Sequence, residues 1–305
     1  MRRREFIKTT AAAVLSSGTL FNVARSAGNR KLDKVGLQLY SVRNQMQEDF
    51  TGTMKKVAEA GYDQVEFAGY YDHSPADIKK LLDDLGMTAP ACHSGYDLLK
   101  DDQIGKTIEA AKIIGHKYLI MPVPPVQGTP RPQSQDDSSN AQSGQARRRR
   151  REPPSYSMDQ VNTMADIFNH IGESCKKAGL GFAYHNHFME FQKINDGELM
   201  YDLLLQKTDP NLVDFEMDLG WTIVGGGDPV AYFNKYPGRF KFFHVKDMNE
   251  DNQSVVVGQG KIDFAAIFDQ SKKAGVKYYI VEYEGREDPV ASVAASVAYL
   301  KKMTF

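Results

Sequence analysis

The chain has 305 residues, of which 41% are hydrophobic and 25% are charged, a globular composition with room for one large α/β domain or two smaller ones. Its formal net charge of −1 provides no basic surface, so we expect no nucleic-acid partner. The two cysteines, Cys92 and Cys175, are too few for a disulfide framework and are expected to be buried free thiols.

The first residues have the organisation of an export signal. A basic start precedes a weakly apolar run, and small residues follow at 24–27, which is the order found in secretory signals. The stretch RREFIK (3–8) resembles the twin-arginine export motif. The apolar run is too short and too polar for a stable transmembrane helix, so we expect no stable membrane insertion. Residues 1–27 are therefore predicted to be a twin-arginine-type signal peptide that directs the protein to the bacterial periplasm; a basic tail with a short helix is the alternative.

From residue 34 onward, short apolar runs that are typical of strands alternate with helical patterns. Eight strands with intervening helices over about 270 residues predict a single-domain α/β fold, the (β/α)₈ TIM barrel, over residues 34–305. An open doubly wound sheet is the alternative. However, no predicted strand is followed by the G-x-G-x-x-G pattern that is typical of the dinucleotide-binding form of that fold. The predicted strands are 34–40, 62–69, 87–95, 117–124, 180–187, 211–220, 239–247 and 277–285, and the helical patterns are 50–61, 75–86, 164–179 and 264–275.

One segment interrupts this alternation. Residues 124–156 are rich in Pro, Gln, Ser and Gly, and they include five consecutive arginines at 147–151. Such a segment cannot bury enough apolar surface to order itself, which predicts a disordered insertion with a solvated charge run. Because it follows the fourth strand, on the face where barrel enzymes carry their active sites, a lid or an anion-docking patch is the functional alternative.

Ionisable residues stand at the carboxyl end of nearly every strand from the second onward. In FAYHNHFMEF (182–191), His185 and His187 are two positions apart, so in a strand they point to the same face. Any one of these residues alone can have a purely structural role. Burying all of their charges without compensating partners would cost folding free energy. Oxygen and imidazole donors without thiolate indicate one divalent ion, Mn²⁺, Co²⁺, Mg²⁺ or Zn²⁺. The residues are Glu66, His93, His185, His187, Asp218, His244, Lys246 and Glu282.

The motifs around these residues resemble the xylose isomerase-like TIM barrel superfamily. This superfamily includes sugar phosphate isomerases/epimerases, inosose dehydratases, 3-dehydroshikimate dehydratases and endonuclease IV. The resemblance covers nearly all of the mature chain, from VGLQLYSVR (35–43) through VEFAG, HNHFMEF, EMDLGW, FFHVKDM, VGQGKIDF and VEYEG. In this family the metal is usually held by Glu, Asp, His and Glu on strands five to eight. Asp218, His244 and Glu282 match the last three, and the resemblance implies them as metal ligands.

Strand five departs from the family pattern. Relatives often have Glu-Asn-His where this chain has His-Asn-His, so position implies His185 as the fourth ligand, with Glu190 as its rival. Epimerases of this family use the glutamates of strands five and eight as opposed acid and base. Only Glu282 remains in that role here, which leaves His187, Glu190 or Lys246 for the other half of the catalysis.

The same resemblance bears on the substrate. Enzymes like endonuclease IV need a multi-metal cluster and place a histidine three residues after the aspartate, where this chain has Trp221. That residue and the absence of a basic surface disfavour phosphodiester cleavage. We predict that Trp221 forms an apolar wall against a sugar ring, with simple packing as the alternative, and that Glu66 and His93 are also substrate-binding.

The remaining chemistry is carbohydrate chemistry. A divalent ion that chelates a hydroxyl and a carbonyl acidifies the neighbouring C–H bond, a base takes the proton, and the metal stabilises the enediolate. Because phosphorylated sugars are scarce in the periplasm, we predict an isomerase/epimerase of a non-phosphorylated sugar or keto-sugar. A lyase or dehydratase acting on a 3-keto-glycoside or a related keto-sugar is the alternative. A non-catalytic sugar-binding barrel is a third hypothesis, which the retention of three metal-ligand matches disfavours. The oligomeric state stays open.

Overall fold

A computed structural model describes residues 29–125, 156–194 and 197–305. The predicted signal peptide and residues 126–155 of the predicted insertion lie outside the described residues. The described residues form a closed barrel of eight parallel strands with helices between them, which confirms the predicted single-domain (β/α)₈ fold. None of the described helices is both long and apolar enough to cross a membrane.

Each barrel strand pairs with its neighbour in the chain, and the last strand, β10, pairs with β1 to close the barrel. A short antiparallel pair, β8 and β9, is inserted before β10. The sequence had predicted one strand over 239–247, but β7 ends at Val245 and the chain turns into this pair. The barrel strands are β1 Gly36–Gln38, β2 Gln64–Phe67, β3 Thr88–His93, β4 Tyr118–Met121, β5 Gly181–His185, β6 Asp214–Asp218, β7 Phe240–Val245 and β10 Tyr278–Val281, and the inserted pair is β8 Asp247–Met248 and β9 Ser254–Val255.

Helices fill the connections between the strands and cover the outside of the barrel. The α-helices are α1 Arg43–Glu48, α2 Phe50–Ala60, α3 Pro75–Asp84, α4 Tyr96–Leu99, α5 Ile104–Ile114, α6 Met158–Lys177, α7 Met200–Lys207, α8 Leu219–Val224, α9 Pro229–Lys235, α10 Phe264–Asp269, α11 Ser271–Ala274 and α12 Pro289–Lys302. Two 3₁₀ helices, η1 Leu39–Val42 and η2 Phe188–Phe191, follow β1 and β5.

Helices α2 and α3 agree with their predicted bounds to within two residues, and the other two predicted helices differ more. Helix α6 begins six residues before the predicted start at 164, because Ser157 and Gln160 form a reciprocal capping box at its N-terminus. The predicted helix over 264–275 is divided into α10 and α11 at Gln270, whose backbone N–H bonds to Ile267 and Phe268. In both places, local hydrogen bonds set the boundary more finely than the apolar periodicity does.

The interior of the barrel is layered, because inward side chains alternate along each strand. On the amino-terminal side of the polar residues, an apolar layer in the middle of the strands is packed against Tyr118 and Tyr278; its buried members are Ala91, Ile120, Ala183, Phe242 and Ile280. A larger apolar core fills the space between the barrel and the helices. Cys92 and Cys175 are buried free thiols, as predicted.

Strand register carries the polar residues to the opposite end of the barrel. His185 pairs with Glu216 across β5 and β6, and Asp218 pairs with His244 across β6 and β7. Because Glu216 and Asp218 are two residues apart on one strand, their side chains point to the same face at successive depths. The interior therefore gains two polar layers above the apolar one.

Candidate metal and substrate site

The four residues predicted as metal ligands converge at the carboxyl end of the barrel. His185 and Asp218 end their strands, His244 lies one residue before the end of β7, and Glu282 directly follows β10. One donor atom from each lies within 4.8 Å of those of the others, and all four side chains are buried. His244 Nδ1 is 2.9 Å from Glu282 Oε2. We call these four residues the upper cluster.

The donor set of the upper cluster fits a divalent cation. Two carboxylates and two imidazoles without thiolate are ligands that Mn²⁺, Co²⁺ and Zn²⁺ accept. Asp218 Oδ1 accepts a 2.7 Å hydrogen bond from the backbone N–H of Trp221, but Oδ2 is buried without a hydrogen-bond partner. Lys246 Nζ lies 3.1 Å from that oxygen, as an ion pair without hydrogen-bond alignment. A buried carboxylate oxygen in this state is stabilised by a bound cation.

Asn186 connects the two strands that carry His185 and Asp218. Its Oδ1 accepts a 3.2 Å hydrogen bond from the backbone N–H of Asp218, and its Nδ2 donates to Thr222 Oγ1 at 3.2 Å. Thr222 in turn donates a 2.6 Å hydrogen bond to the carbonyl of Asp218. These bonds hold the ends of β5 and β6 at a constant separation, and with them the two predicted ligands.

A second group of buried side chains lies one layer deeper. His93 Nε2 is 2.9 Å from Glu66 Oε1 and 2.7 Å from Glu216 Oε2. His244 Nε2 is 2.9 Å from Glu66 Oε1 and 3.2 Å from Glu216 Oε2. His185 Nδ1 is 3.0 Å from Glu216 Oε2. We call Glu66, His93 and Glu216 the lower cluster; it touches the upper cluster through two imidazoles.

The sequence prediction missed Glu216, because only the last residues of each strand were considered. Counting back by two from Asp218 along β6 would have found it, since alternate residues share a face. It also missed Glu284, whose Oε2 lies 2.8 Å from Lys246 Nζ.

The predicted substrate-binding residues occupy different depths. Glu66 is fully buried and accepts a 2.6 Å hydrogen bond from Gln38 Nε2, while the His93 side chain keeps 10% exposure. Trp221 is half-buried at the upper level, with its ring centroid 4.8 Å from Lys246 Nζ and 6.3 Å from that of His187. Contact of Glu66, His93 and Trp221 with a substrate stays a prediction.

Lys246 is a buried ammonium surrounded by carboxylates. Its Nζ is 3.1 Å from Asp218 Oδ2, 2.9 Å from Glu282 Oε2 and 2.8 Å from Glu284 Oε2. Burial alone would lower its pKa, but these carboxylates outweigh burial and raise the pKa well above its usual range. Lys246 is therefore protonated and can donate a hydrogen bond to a ligand.

His187 and Glu190 stand just beyond β5. His187 Nδ1 is buried without a hydrogen-bond partner, and burial lowers the pKa of its imidazole well below the usual value. Glu190 Oε1 accepts a 2.6 Å bond from the Tyr184 hydroxyl, and Oε2 accepts a 2.8 Å bond from the backbone N–H of His187. Burial raises the pKa of Glu190 to about 7. Both oxygens of Glu190 thus have protein partners, and among the described residues Glu190 belongs to neither candidate metal-binding group.

The electrostatics of the two clusters favour a cation. Burial raises the pKa of Asp218 to about 7, against the opposing attraction of Lys246. Burial would also raise the pKa of Glu216, but His244 and His93 lower it to about 2. The pKa of His93 is lowered by burial yet rises to about 9 overall, because the glutamates of the lower cluster attract its proton. Among the described residues, the site thus contains several buried carboxylates but one buried lysine, and this excess of carboxylates favours a bound cation.

A cavity of about 200 Å³ opens beside this site. Its lining includes Asn249, Ser254, Tyr283, Arg286 and Glu284, the last of which also pairs with the buried ammonium. These residues come from the loops that follow β7 and β10, at the carboxyl end of the barrel. The volume and the polar side chains suit a small hydrophilic ligand.

The fold and the site together define a TIM barrel with a candidate metal site at its carboxyl end. Residues 54–303 match the family described as the xylose isomerase-like TIM barrel, and the chain belongs to this family. An inosose dehydratase from Lacticaseibacillus casei is 27% identical over an alignment of 154 residues, and the match covers 45% of this chain and 50% of that protein. The chain thus spans about half the length of the curated relatives it matches.

Solved structures agree over a larger part of the chain. A structure described as a sugar phosphate isomerase/epimerase from Parabacteroides distasonis ATCC 8503 is 27% identical, with a TM-score of 0.68, and the match covers 92% of this chain and 95% of that one. A second structure of that description and organism is 29% identical, with a TM-score of 0.69 and coverage of 88% and 98%. By their names, the curated relative is an inosose dehydratase and these two structures are sugar phosphate isomerases/epimerases.

Proposed function

We propose that this protein is a divalent-metal-dependent isomerase or epimerase of a non-phosphorylated sugar or keto-sugar. The observation that carries the proposal is the upper cluster, in which two carboxylates and two imidazoles converge and Asp218 Oδ2 is left without a hydrogen bond. A divalent ion held by His185, Asp218, His244 and Glu282 supplies Lewis-acid polarisation of a substrate carbonyl, which acidifies the neighbouring C–H bond.

The chain itself supplies the groups that orient the substrate and move the proton. His187 is partly exposed, and because burial lowers the pKa of its imidazole the ring is neutral and can accept a proton from the substrate carbon or return one. Lys246 presents an ammonium that can stabilise a developing oxyanion, and Trp221 forms an apolar wall beside it. Glu282 is the other predicted acid or base, and Glu190 supports His187 through the backbone hydrogen bond.

Dehydration is the second candidate, and two observations favour it. The curated relative described above is named an inosose dehydratase. Expulsion of a β-hydroxyl is assisted by a hydrogen-bond donor at the leaving oxygen, and the protonated Lys246 lies 2.9 Å from Glu282 in the same cluster. Both candidates begin with removal of a proton next to a carbonyl and differ in what happens to the enediolate afterwards.

The charge of the site supports a substrate without phosphate. The described residues place Lys246 against three carboxylates, so its charge is already offset before a ligand enters. Lys246 is therefore not a dedicated partner for a phosphate dianion. Export to the periplasm, which we also propose, points to the same class of substrate.

Hydrogen exchange tests the proposal and separates the two candidates. Protein loaded with Mn²⁺ or Co²⁺ is incubated in D₂O with a panel of ketoses, keto-glycosides and inososes, and the products are followed by NMR. We expect deuterium beside the carbonyl, with an isomer or epimer as product; an unsaturated product would instead establish the dehydratase. Sugar binding without exchange at any carbon, in protein that holds the metal, would contradict both and favour a binding barrel.

The matched control for this experiment is Asp214→Asn. Asp214 lies on the same strand and face as Asp218 but at the opposite end, where it accepts a hydrogen bond from Tyr118. Exchange should persist in this variant and disappear in His244→Ala.

The export proposal has its own test. Changing Arg3 and Arg4 together to lysine should leave the precursor in the cytoplasm, as measured by cell fractionation. Normal secretion of that double variant would contradict twin-arginine targeting.

A further inference from the structure

The upper and lower clusters share two histidines, and this limits how many ions they can hold. Two sets of donors come within 4.8 Å: one is the upper cluster, and the other joins His93 and Glu216 to the shared His185 and His244. An imidazole has two ring nitrogens. If both clusters held an ion at once, each shared ring would have to carry no N–H hydrogen and bind one ion through each nitrogen. The donor atoms are better satisfied when one cluster holds an ion and the histidine nitrogens that face the other cluster carry hydrogen.

Contact distances indicate which cluster holds the protons. Glu216 Oε2 lies 2.7 Å from His93 Nε2, 3.0 Å from His185 Nδ1 and 3.2 Å from His244 Nε2. Distances near 3 Å are those of N–H···O hydrogen bonds to a carboxylate. The nitrogens that face Glu216 therefore carry hydrogen. On His244 the other nitrogen, Nδ1, lies 2.9 Å from Glu282, itself a predicted ligand, so a bound ion would replace the hydrogen at that nitrogen.

We propose that Glu216 is a positioning residue that makes His185 and His244 present opposite ring nitrogens to the metal. His185 donates its Nδ1–H to Glu216 and binds through Nε2. His244 donates its Nε2–H to Glu66, with Glu216 Oε2 3.2 Å from the same nitrogen, and binds through Nδ1, which lies 2.9 Å from Glu282 Oε2. This inference rests on the metal site of the proposed function.

The physical benefit of this arrangement is a locked tautomer. A metal-bound histidine is oriented, and made a stronger donor, by a carboxylate that accepts its second N–H. Glu216 is fully buried, and its Oε2 lies 3.0 Å from His185 Nδ1 and 3.2 Å from His244 Nε2, so one carboxylate contacts both rings. Glu66 touches His244 but not His185, and Gln38 holds it in place.

Nitrogen-15 NMR of the histidine side chains tests the proposal directly. In protein labelled with ¹⁵N-histidine and loaded with Zn²⁺, long-range ¹H–¹⁵N spectra assign the protonated nitrogen of each ring. We expect Nδ1–H for His185 and Nε2–H for His244. The same tautomer in both rings, or a metal-induced shift at the nitrogens that face Glu216, would overturn the proposal.

Cobalt affinity supplies a second readout. Glu216→Gln should weaken Co²⁺ binding by about 10–100-fold and alter the visible Co²⁺ spectrum, because it removes the carboxylate acceptor of His185 and one of the two carboxylates that contact His244. Glu66→Gln should weaken binding less, since it affects one ring. Asp214→Asn, on the same strand and face, should bind Co²⁺ like the wild-type protein.

The outcomes separate this inference from the proposed function. If the wild-type protein binds Co²⁺ and Glu216→Gln binds it equally well with the same spectrum, Glu216 has no positioning role, although the metal site stands. If the wild-type protein binds no divalent ion, the proposed function fails, and this inference fails with it. If Glu216→Gln does not fold, the Glu66→Gln variant and the tautomers of the wild-type protein test the inference instead. Unchanged Co²⁺ affinity in Glu66→Gln, together with the same tautomer in both His185 and His244, would overturn it.

Discussion

The two ends of the barrel interior contrast in composition and in what they contribute. At the amino end, Phe242 stacks on Tyr278 with ring centroids 4.5 Å apart and meets Tyr118 edge-on at 5.1 Å. At the carboxyl end, the same strands carry buried carboxylates, imidazoles and an ammonium. Two residues along β7, from Phe242 to His244, separate the apolar layer from the charged one.

This contrast indicates that the two ends are selected for different properties. Burial of apolar and aromatic side chains stabilises the fold. Buried ionisable groups stabilise a fold weakly, because desolvation offsets much of their mutual attraction. The charged layer is therefore best explained by a bound ligand, and changes at the two ends should affect different observables.

Asp218→Asn should have the largest effect on the charged layer. Asparagine keeps the cap on the Trp221 N–H but loses the charge at Oδ2, so the variant should fold, lose the divalent ion and lose activity together. Metal analysis after gel filtration, with the turnover rate, checks this expectation against Asp214→Asn. Full metal content in Asp218→Asn would remove Asp218 from the ligand set.

His187→Ala should separate proton transfer from metal binding. The ring lies beside His185 with centroids 4.8 Å apart, but its Nδ1 has no partner in the described part of the chain. We expect near-stoichiometric metal and a turnover lower by about 10²–10⁴, the range for loss of a general acid or base. Wild-type turnover would reduce His187 to a packing residue.

Phe242→Ala should affect stability but not the metal. Removing this fully buried ring leaves a cavity between Tyr118 and Tyr278, at a cost of about 3–5 kcal/mol in the free energy of unfolding. Urea denaturation measures the loss, and metal content under native conditions should stay unchanged. Loss of the ion at unchanged stability would mean that the two ends are not independent.

Glu190 should contribute the smallest effect, a pH-dependent one. Its pKa is about 7 in the folded chain and about 4.5 in the unfolded chain. Between pH 4.5 and 7, the folded chain therefore retains this proton while the unfolded chain has released it. Glu190 therefore lowers stability progressively as pH rises from about 4.5 to 7, and its effect is constant above that. The stability of Glu190→Gln relative to wild type should rise across this window and then level off. A difference independent of pH would contradict the raised pKa.

The sequence predicted most of the fold because each strand is a short apolar run and turn residues separate the elements. It predicted the upper cluster because strand ends in a parallel barrel meet at one edge. It did not predict Glu216, whose importance depends on the register that sets it beside His185. Nor did it predict the β8–β9 pair, which depends on Asp247 accepting hydrogen bonds from the backbone N–H groups of Gly258 and Gly260, 11 and 13 residues away.

The most direct test of the central claim is to locate the metal. Crystals of the protein loaded with Co²⁺ are measured at the cobalt absorption edge, and an anomalous difference map is calculated. The account predicts one peak, at the upper cluster, with His185, Asp218, His244 and Glu282 as its protein ligands. A peak at His93 and Glu216 instead, or no peak in crystals grown with saturating Co²⁺, would contradict it.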